Sequence, residues 1–259
     1  MGLAERHRLA GLTRPEALER ARAGAVALLP IGSLEQHGQH LPLFTDSLLA
    51  ETVCLHAAER ATIDIVVAPP LWPGFSPHHV GFGATVSLSS GVFLSLVREV
   101  VEGLLGWLPR LVVVNGHGGN RGPLLTLALE RGFRFVSYWE LAAGNAAALF
   151  PTDGGSIGHA GEAETAMMLA AFPSFVGEPG AAFLAPQDDE LLLPDMGESG
   201  VIGDARAASP EAGRAFLDAA ASALAHLVES LVREGVGPMP VPAAATAVLQ
   251  TADLDERVR

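Results

Sequence analysis

The sequence predicts an α/β fold with three layers, an α/β/α sandwich in which helices cover both faces of a mostly parallel central sheet. Short apolar runs typical of strands alternate along the chain with longer stretches of helical periodicity. The strand-type runs are almost continuously apolar, which is typical of parallel strands buried on both faces. No repeat or Pro/Gly/Ser linker divides the 259 residues. We therefore expect a single domain over 1–259, with a core of about 25–235 and a C-terminal tail over 236–259.

Five segments are predicted as strands: 25–32, 64–70, 83–89, 110–116 and 133–140. A glycine ends the first and prolines end the second, because proline cannot donate to a strand ladder. The third, GATVSLS, alternates apolar and polar residues, and the fourth, RLVVVNG, is the clearest buried strand.

Five segments are predicted as helices: 46–60, 90–108, 122–132, 161–172 and 209–235. Asp46 stands at the start of the first, Gly132 ends the third, and acids occupy the first turn of the fourth, where they suit the helix dipole. In sheets of this kind, ligands bind beyond the carboxyl ends of the strands.

Composition excludes several classes of partner. The formal net charge is −13, so we expect neither nucleic acid nor an anionic membrane as a partner. No apolar run approaches the roughly 18–20 residues of a membrane span, and the N-terminus lacks the apolar centre of a signal peptide.

The single cysteine, Cys54, cannot form an internal disulfide and is best interpreted as a buried apolar side chain. A cytoplasmic location is expected.

Acids and imidazoles follow three of the predicted strands, and they comprise Glu35, His37, Asp46, His117 and Glu162. Carboxylate and imidazole ligands without thiolates suit Zn²⁺ or Mn²⁺. Five such side chains, with Asp46 shared, supply three ligands to each of two ions and leave positions open for water. The pattern predicts a centre of two divalent metal ions.

Each of these residues also has an ordinary structural interpretation. Asp46 alone is typical of a helix N-cap, and Glu162 and Glu164 alone are typical of acids in a first helical turn. A single histidine at a strand end is more often a hydrogen-bonded turn residue. The convergence of three separate strand ends favours a metal site over these alternatives.

The string GSLEQHGQHLPLFTD, followed by NGHGGN and HAGEAET, resembles the creatininase (creatinine amidohydrolase) family. The resemblance extends over about 25–220 and includes SPHHVGFGATVSL and SGVIGDARAASPEAGRAF. It implies a compact, creatininase-like α/β/α domain, a homohexamer, and a dinuclear centre holding Zn and/or Mn.

The resemblance also implies roles for the ligands. Glu35 and His117 would hold one ion, His37 and an acid would hold the other, and Asp46 would bridge them. Creatinine-cutting members carry that acid two residues after the NGH histidine, where this chain has Gly119. We assign it instead to Glu162, as a ligand and as a carboxylate able to pass a proton.

Further residues border the implied pocket. His159 matches a catalytic histidine of the family, which would move a proton to the departing nitrogen or stabilise the tetrahedral intermediate; a structural turn histidine is the alternative. Trp139 resembles a tryptophan that closes over the substrate, although a buried core tryptophan is an equal alternative. His79, Gly118 and Gly119 are expected to border the substrate. A second substrate-facing tryptophan has no match, because the residues before His159 are GGSIG.

Two more histidines are assigned outside the ligand set. His40 is expected to support the metal loop, and His78 is expected at the surface.

The resulting prediction is a metal-dependent amidohydrolase that cuts the C–N bond of a small, creatinine-type amide, a non-peptide bond, with metal-activated water. The alternatives are a creatininase-type peptidase of mycofactocin maturation, whose HAGHTET form differs from HAGEAET here, and a formamide hydrolase. A metal-binding module without catalysis is the alternative from another class. A phosphate site at NGHGGN is disfavoured, since no P-loop lysine follows it.

Overall fold

A computed structural model of the chain describes residues 4–153, 157–184 and 196–235. The described strands form one parallel sheet in the order β2-β1-β3-β4, with β1 at Val26–Ile31, β2 at Ile65–Val67, β3 at Arg110–Asn115 and β4 at Arg134–Ser137. This arrangement confirms the predicted α/β fold with a parallel sheet. The predicted tail over 236–259 lies outside the described residues.

The helices of the described chain include all five that the sequence predicts and three more. They are α1 (Arg14–Arg22), α2 (Thr45–Arg60), α3 (Ser90–Leu105), α4 (Arg121–Arg131), α5 (Tyr138–Leu141), α6 (Ala143–Leu149), α7 (Glu162–Ala171) and α8 (Pro210–Arg233).

The alternation of side chains along β1 separates two apolar cores. Val26 and Leu28 pack into the core that contains residues of α2, α7 and α8. Ala27 and Leu29 point the opposite way, into the core that contains residues of α3 and α4. Both faces of the strand are buried, which explains why its sequence is apolar throughout.

The segment predicted as a strand over 83–89 forms no regular strand, so this prediction is wrong. Only isolated bridges, Leu34 to Val86 and Gly74 to Ser87, join it to its neighbours. Gly83 and Ala84 adopt positive φ angles of 77° and 47°, and a left-handed backbone at two successive residues interrupts an extended chain. The last predicted strand is also shorter than expected, because α5 begins directly after Ser137.

One helix departs from the expectation that no segment suits a membrane span. Among the described residues, only α8 is long and apolar enough by length and composition, with 39% of the relevant segment buried. Its buried residues include Phe216, Ala220, Leu224 and Val228, which recur every four or so residues and pack in the core shared with α2 and α7. Packing in that core accounts for the apolar composition of α8.

Candidate metal centre

The loop after β1 places Glu35 and His37 in the interior, and neither side chain is exposed to solvent. His37 Nδ1 lies 3.2 Å from the Glu35 carbonyl oxygen, so the ring donates its proton there. This tautomer leaves Nε2 of His37 free to face the carboxylates. Asp46 Oδ1 lies 3.0 Å from that nitrogen.

Asp46 is held in the first turn of α2, where the end of β3 passes very close. A Cβ atom at Gly116 would stand only 2.4 Å from the Asp46 carbonyl oxygen, so only glycine allows this approach. His117 follows immediately, and its Nδ1 lies 3.1 Å from Asp46 Oδ2. Asp46 therefore directs one oxygen to each of two imidazole rings.

Glu35 and His117 face each other on the second oxygen of Asp46, and two hydrogen-bonded serines hold them in place. His117 Nδ1 lies 3.1 Å from Glu35 Oε1, and Ser76 donates to Glu35 Oε2 over 2.5 Å. Ser33 Oγ lies 2.6 Å from Ser76 Oγ and donates to it, since the Ser76 proton is used by Glu35. His117 Nε2 lies 3.2 Å from the Phe75 carbonyl and 3.0 Å from Ser76 Oγ, which leaves Nδ1 to face the carboxylates.

Of the two acids in the first turn of α7, Glu164 faces the candidate ligands and Glu162 does not, contrary to the position predicted for Glu162. Glu164 Oε2 lies 3.7 Å from His37 Nε2 and accepts a hydrogen bond from the Ala160 backbone over 2.6 Å. Glu162 Oε2 instead accepts from the backbone and hydroxyl of Thr152, over 2.8 and 2.6 Å. Residues two apart on a helix are separated by about 200° of rotation, so the two acids cannot face the same site.

The start of α7 is itself fixed by a buried carboxylate. Asp153 accepts from the backbone N–H groups of Glu162 and Ala163, over 3.1 and 2.9 Å, and so caps a helix whose preceding residue is Gly161. Burial raises the pKa of Asp153 to about 6. This cap holds the turn on which Glu164 stands.

The side chains present fit two cations. Ligand atoms of Glu35, Asp46 and His117 lie within 4.8 Å of one another, as do those of His37, Asp46 and Glu164. Asp46 belongs to both groups. Glu35 Oε1 and Asp46 Oδ2 are buried and form no hydrogen bond of good geometry with any described residue. Ring nitrogens lie beside them, with His117 Nδ1 at 3.1 Å from both oxygens and His79 Nε2 at 3.2 Å from Glu35 Oε1, and a cation would satisfy both oxygens.

Electrostatics inside the site favour positive charge. Burial lowers the pKa of His37, but Asp46, Glu164 and Glu35 outweigh it and raise that pKa to about 10. Burial also lowers the pKa of His117, but Glu35 and Asp46 outweigh this effect and raise that pKa to about 10. Burial also works against charge on Glu35, yet the neighbouring histidines hold its pKa well below the usual range. The carboxylates thus favour positive charge at both rings, as they would favour a bound cation.

Gln36 fixes the two other histidines of the site. Its side-chain oxygen accepts from Gly38, and its amide nitrogen lies 2.8 Å from the Gly200 carbonyl and 2.9 Å from His79 Nδ1. Both amide protons are therefore used. His159 Nε2, 3.0 Å from the Gln36 backbone carbonyl, must then be a donor, so Nδ1 of His159 keeps its lone pair.

The lone pair of His159 faces the metal centre. Its Nδ1 lies 3.8 Å from Glu35 Oε1, and its ring centroid lies 4.5 Å from that of His37. Burial, followed by the charges of His37 and His79, holds the pKa of His159 well below its usual range. His159 is thus a neutral imidazole directed at the site.

A cavity of about 830 Å³ opens onto this centre. Asp46, His117, His159 and Glu164 are among the residues that line it. The four residues predicted to border a substrate, His79, Trp139, Gly118 and Gly119, line it as well. The cavity joins the candidate metal ligands to a space large enough for an organic substrate.

His78 also lines the cavity, so the expectation of a surface position is corrected. Its ring stacks on that of His117 with 5.6 Å between centroids and 7° between planes. His40 bonds to Thr165 Oγ1 over 2.9 Å and so ties the loop after β1 to α7. This contact agrees with a supporting role for His40.

Gly119 leaves no room for the acid that creatinine-cutting members are expected to carry there. A Cβ atom at this position would lie 2.3 Å from the Phe75 carbonyl oxygen and 2.5 Å from His117 Nε2. In this backbone geometry the second carboxylate of the centre must therefore come from elsewhere, and Glu164 on α7 lies within reach.

Sequence reasoning missed the roles of Gln36, Ser76 and Ser33 and chose the wrong acid on α7. Hydroxyl and amide side chains beside a predicted ligand were the available signal for the first three, because ligands are commonly held by such partners. No pattern separates Glu162 from Glu164, since every residue from 162 to 168 is buried.

Comparisons with known proteins agree with this geometry. The family model described as "Creatininase: Creatinine amidohydrolase" matches residues 10–228. A mycofactocin precursor peptide peptidase from Mycolicibacterium smegmatis is 35% identical over 200 residues, covering 73% of this chain and 78% of its own. A creatinine amidohydrolase from Pseudomonas putida is 32% identical over 247 residues, covering 84% of this chain and 94% of its own.

Solved structures give the same result. A crystal structure of creatininase superposes with a TM-score of 0.72 at 28% identity, covering 90% of this chain and 98% of its own. A manganese form of creatininase also reaches a TM-score of 0.72 at 28% identity, covering 86% and 98%. Because the family model and these relatives each extend over most of the chain, the protein belongs to the creatininase family of hydrolases.

Proposed function

We propose that this protein hydrolyses the C–N bond of an amide with the help of two divalent cations. The observation that carries the proposal is the position of Asp46, which directs one oxygen to His37 and the other to His117. A carboxylate shared between two ligand groups is what a two-ion centre requires. The ions we propose are Zn²⁺ and/or Mn²⁺, since the ligands are carboxylates and imidazoles without thiolate.

Each half of the centre has its own ligands. Glu35 and His117 would hold one cation, His37 and Glu164 the other, and Asp46 both. Bound cations would supply an activated water and polarise the amide carbonyl. The chain supplies the orientation: backbone carbonyls accept the outer N–H groups of His37 and His117 and keep their inner nitrogens available as ligands.

His159 is the proposed proton carrier. Its Nδ1 bears a lone pair directed at the site, and its Nε2–H is anchored on the Gln36 carbonyl. A neutral imidazole can accept the proton released as water attacks and deliver it to the departing nitrogen. Glu162 does not fit the proton-passing role that the sequence predicts for it, because Thr152 holds its carboxylate away from the centre.

Three substrate classes fit this centre. A small, creatinine-type amide is supported by the resemblance to creatinine amidohydrolase from P. putida. Hydrolysis of a peptide bond is the second candidate, supported by the 35% identity to the mycofactocin precursor peptide peptidase and by the cavity of about 830 Å³. A formamide hydrolase shares the centre and would differ only in the cavity wall.

Metal analysis combined with a substrate panel tests this proposal. We expect about two Zn or Mn per chain, hydrolysis of creatinine, a formamide or a peptide, loss of activity on chelation, and recovery on adding metal. Glu35→Ala and His117→Ala should lose metal and activity together, whereas Thr126→Ala on the exposed side of α4 should change neither. Protein that takes up no metal after reloading would contradict the proposal and favour a module without catalysis.

We also propose a cytoplasmic homohexamer. Several large apolar side chains outside the metal centre are exposed, including Trp72 at 41%, Val80 at 53% and Phe82 at 39%, and contact between subunits would cover them. Light scattering on the purified protein should give six times the 26.9 kDa chain mass. A monomeric mass at micromolar concentration would contradict this part of the proposal.

A further inference from the structure

Apolar side chains make up much of the cavity lining beside the candidate ligands. They are Phe75, Pro123, Trp139, Ile157, Met196 and Ile202, together with two alanines of α6, and we call this set the apolar wall. Part of the wall adjoins the candidate centre, since the Phe75 carbonyl lies 3.2 Å from His117 Nε2 and Ile202 pairs with His159. The cavity therefore offers apolar surface to the part of a substrate that does not react.

No lysine or arginine is among the described residues that line this cavity. The basic residue nearest in sequence to the lining residues is Arg121, which directly precedes Gly122 and Pro123. Its Nε donates to Glu140 Oε1 over 2.7 Å, so its charge is already paired. A carboxylate or phosphate placed against the apolar wall would lose hydration without gaining a lysine or arginine of the described lining as its partner.

Building on the proposed function, we infer that the substrate is an amide whose group remote from the scissile C–N bond is uncharged and apolar. Hydrolysis converts this R–CO–NH–R′ amide and one water into a carboxylate and an amine. R or R′ would lie against the apolar wall, which includes Trp139 and Ile157. A peptide substrate would place an apolar internal segment there, because a free terminus would bring a charge to the same wall, a carboxylate at the C-terminus or an ammonium at the N-terminus. Creatinine alone would leave much of this volume unfilled.

Three hydroxamate probes distinguish the contribution of the apolar wall from that of the metal centre. The measured quantity is binding affinity rather than turnover. Acetohydroxamate reports on the centre alone, benzohydroxamate adds an apolar ring, and 4-carboxybenzohydroxamate adds a charge to that ring. Calorimetry on metal-loaded protein should show benzohydroxamate binding about tenfold tighter than acetohydroxamate, because burial of a ring is favourable. The carboxylated probe should lose that gain.

A charge introduced into the wall gives the matching test. Ala143 lines the cavity and is exposed, so Ala143→Arg can place a guanidinium beside the wall without disturbing the core. In this variant the carboxylated probe should bind about tenfold tighter than it does to the unaltered protein. Ala143→Leu controls for size, and Ala148→Arg, exposed on the same helix outside the lining, controls for net charge.

The outcomes are distinct. If acetohydroxamate binds but the carboxylated probe equals or exceeds benzohydroxamate in the unaltered protein, the apolar-substrate inference is overturned while the metal centre stands. If Ala148→Arg improves binding of the carboxylated probe as much as Ala143→Arg does, the assigned wall is wrong. If no hydroxamate binds, the metal centre of the proposed function fails, and this inference fails with it.

Discussion

Replacing each acid of α7 by glutamine tests which one belongs to the metal centre. Glu164 faces His37 Nε2 at 3.7 Å, whereas Thr152 holds Glu162. The group of His37, Asp46 and Glu164 contains two carboxylates, of which Asp46 is shared with the other group. Glu164→Gln therefore removes the only carboxylate that belongs to this half alone.

The expected loss follows from these contacts. Removing a residue that merely supports a ligand weakens metal binding by about 10–100-fold. Removing a direct carboxylate ligand should exceed that, so we expect at least about 100-fold, or about 2.7 kcal/mol, for one of the two ions. Glu162→Gln should leave both metal affinities within about twofold, since glutamine keeps an oxygen that can accept from Thr152.

Competition with a fluorescent chelator, supported by elemental analysis after dialysis, measures both variants. Glu164→Gln should retain about one ion per chain, and Glu162→Gln should retain about two. The reverse pattern, with Glu162→Gln losing an ion and Glu164→Gln keeping both, would refute the geometric reasoning and restore the assignment made from sequence.

Four further predictions follow from the same network. Ser76→Ala should lower metal affinity by about 10–100-fold in the chelator assay while thermal unfolding shows a folded protein, because it frees both Glu35 and His117. Asp153→Ala should destabilise the metal-free protein by about 1–3 kcal/mol in urea unfolding, because two buried N–H groups lose their acceptor. Metal affinity should fall as pH decreases, because the raised pKa values of His37 and His117 favour protons that each ion must displace. Calorimetry in buffers of different ionisation enthalpy should detect the released protons, and a pH-independent affinity would contradict this. His159→Ala should lower kcat by about 10²–10⁴-fold with metal content unchanged, and a loss of metal instead would make this residue a ligand.

Much of the fold and part of the site could be predicted because they depend on short-range patterns. Buried parallel strands give continuous apolar runs, and the carboxyl ends of such strands meet at one edge, so Glu35, His37 and His117 were expected to converge. Asp46 joined them because α2 starts beside that edge. Each of these inferences needs only strand position and direction.

The errors concern features that depend on tertiary contacts. The alternation in 83–89 suits a strand, but the left-handed backbone at Gly83 and Ala84 is not visible in an apolar/polar pattern. Glu162 and Glu164 are equivalent in sequence, and the anchor that distinguishes them, Thr152, lies ten residues earlier. The sequence analysis predicts His78 at the surface, and no local pattern indicates its stacking on His117, which is 39 positions away in the chain.

The ligands are contributed by elements that are far apart along the chain, from the loop after β1 to the first turn of α7. An unfolded chain cannot hold them together, so each bound ion would add to the free energy of unfolding, by about 2.7 kcal/mol when free metal is 100 times its Kd. The protein would then be protected against cellular proteases in proportion to metal supply.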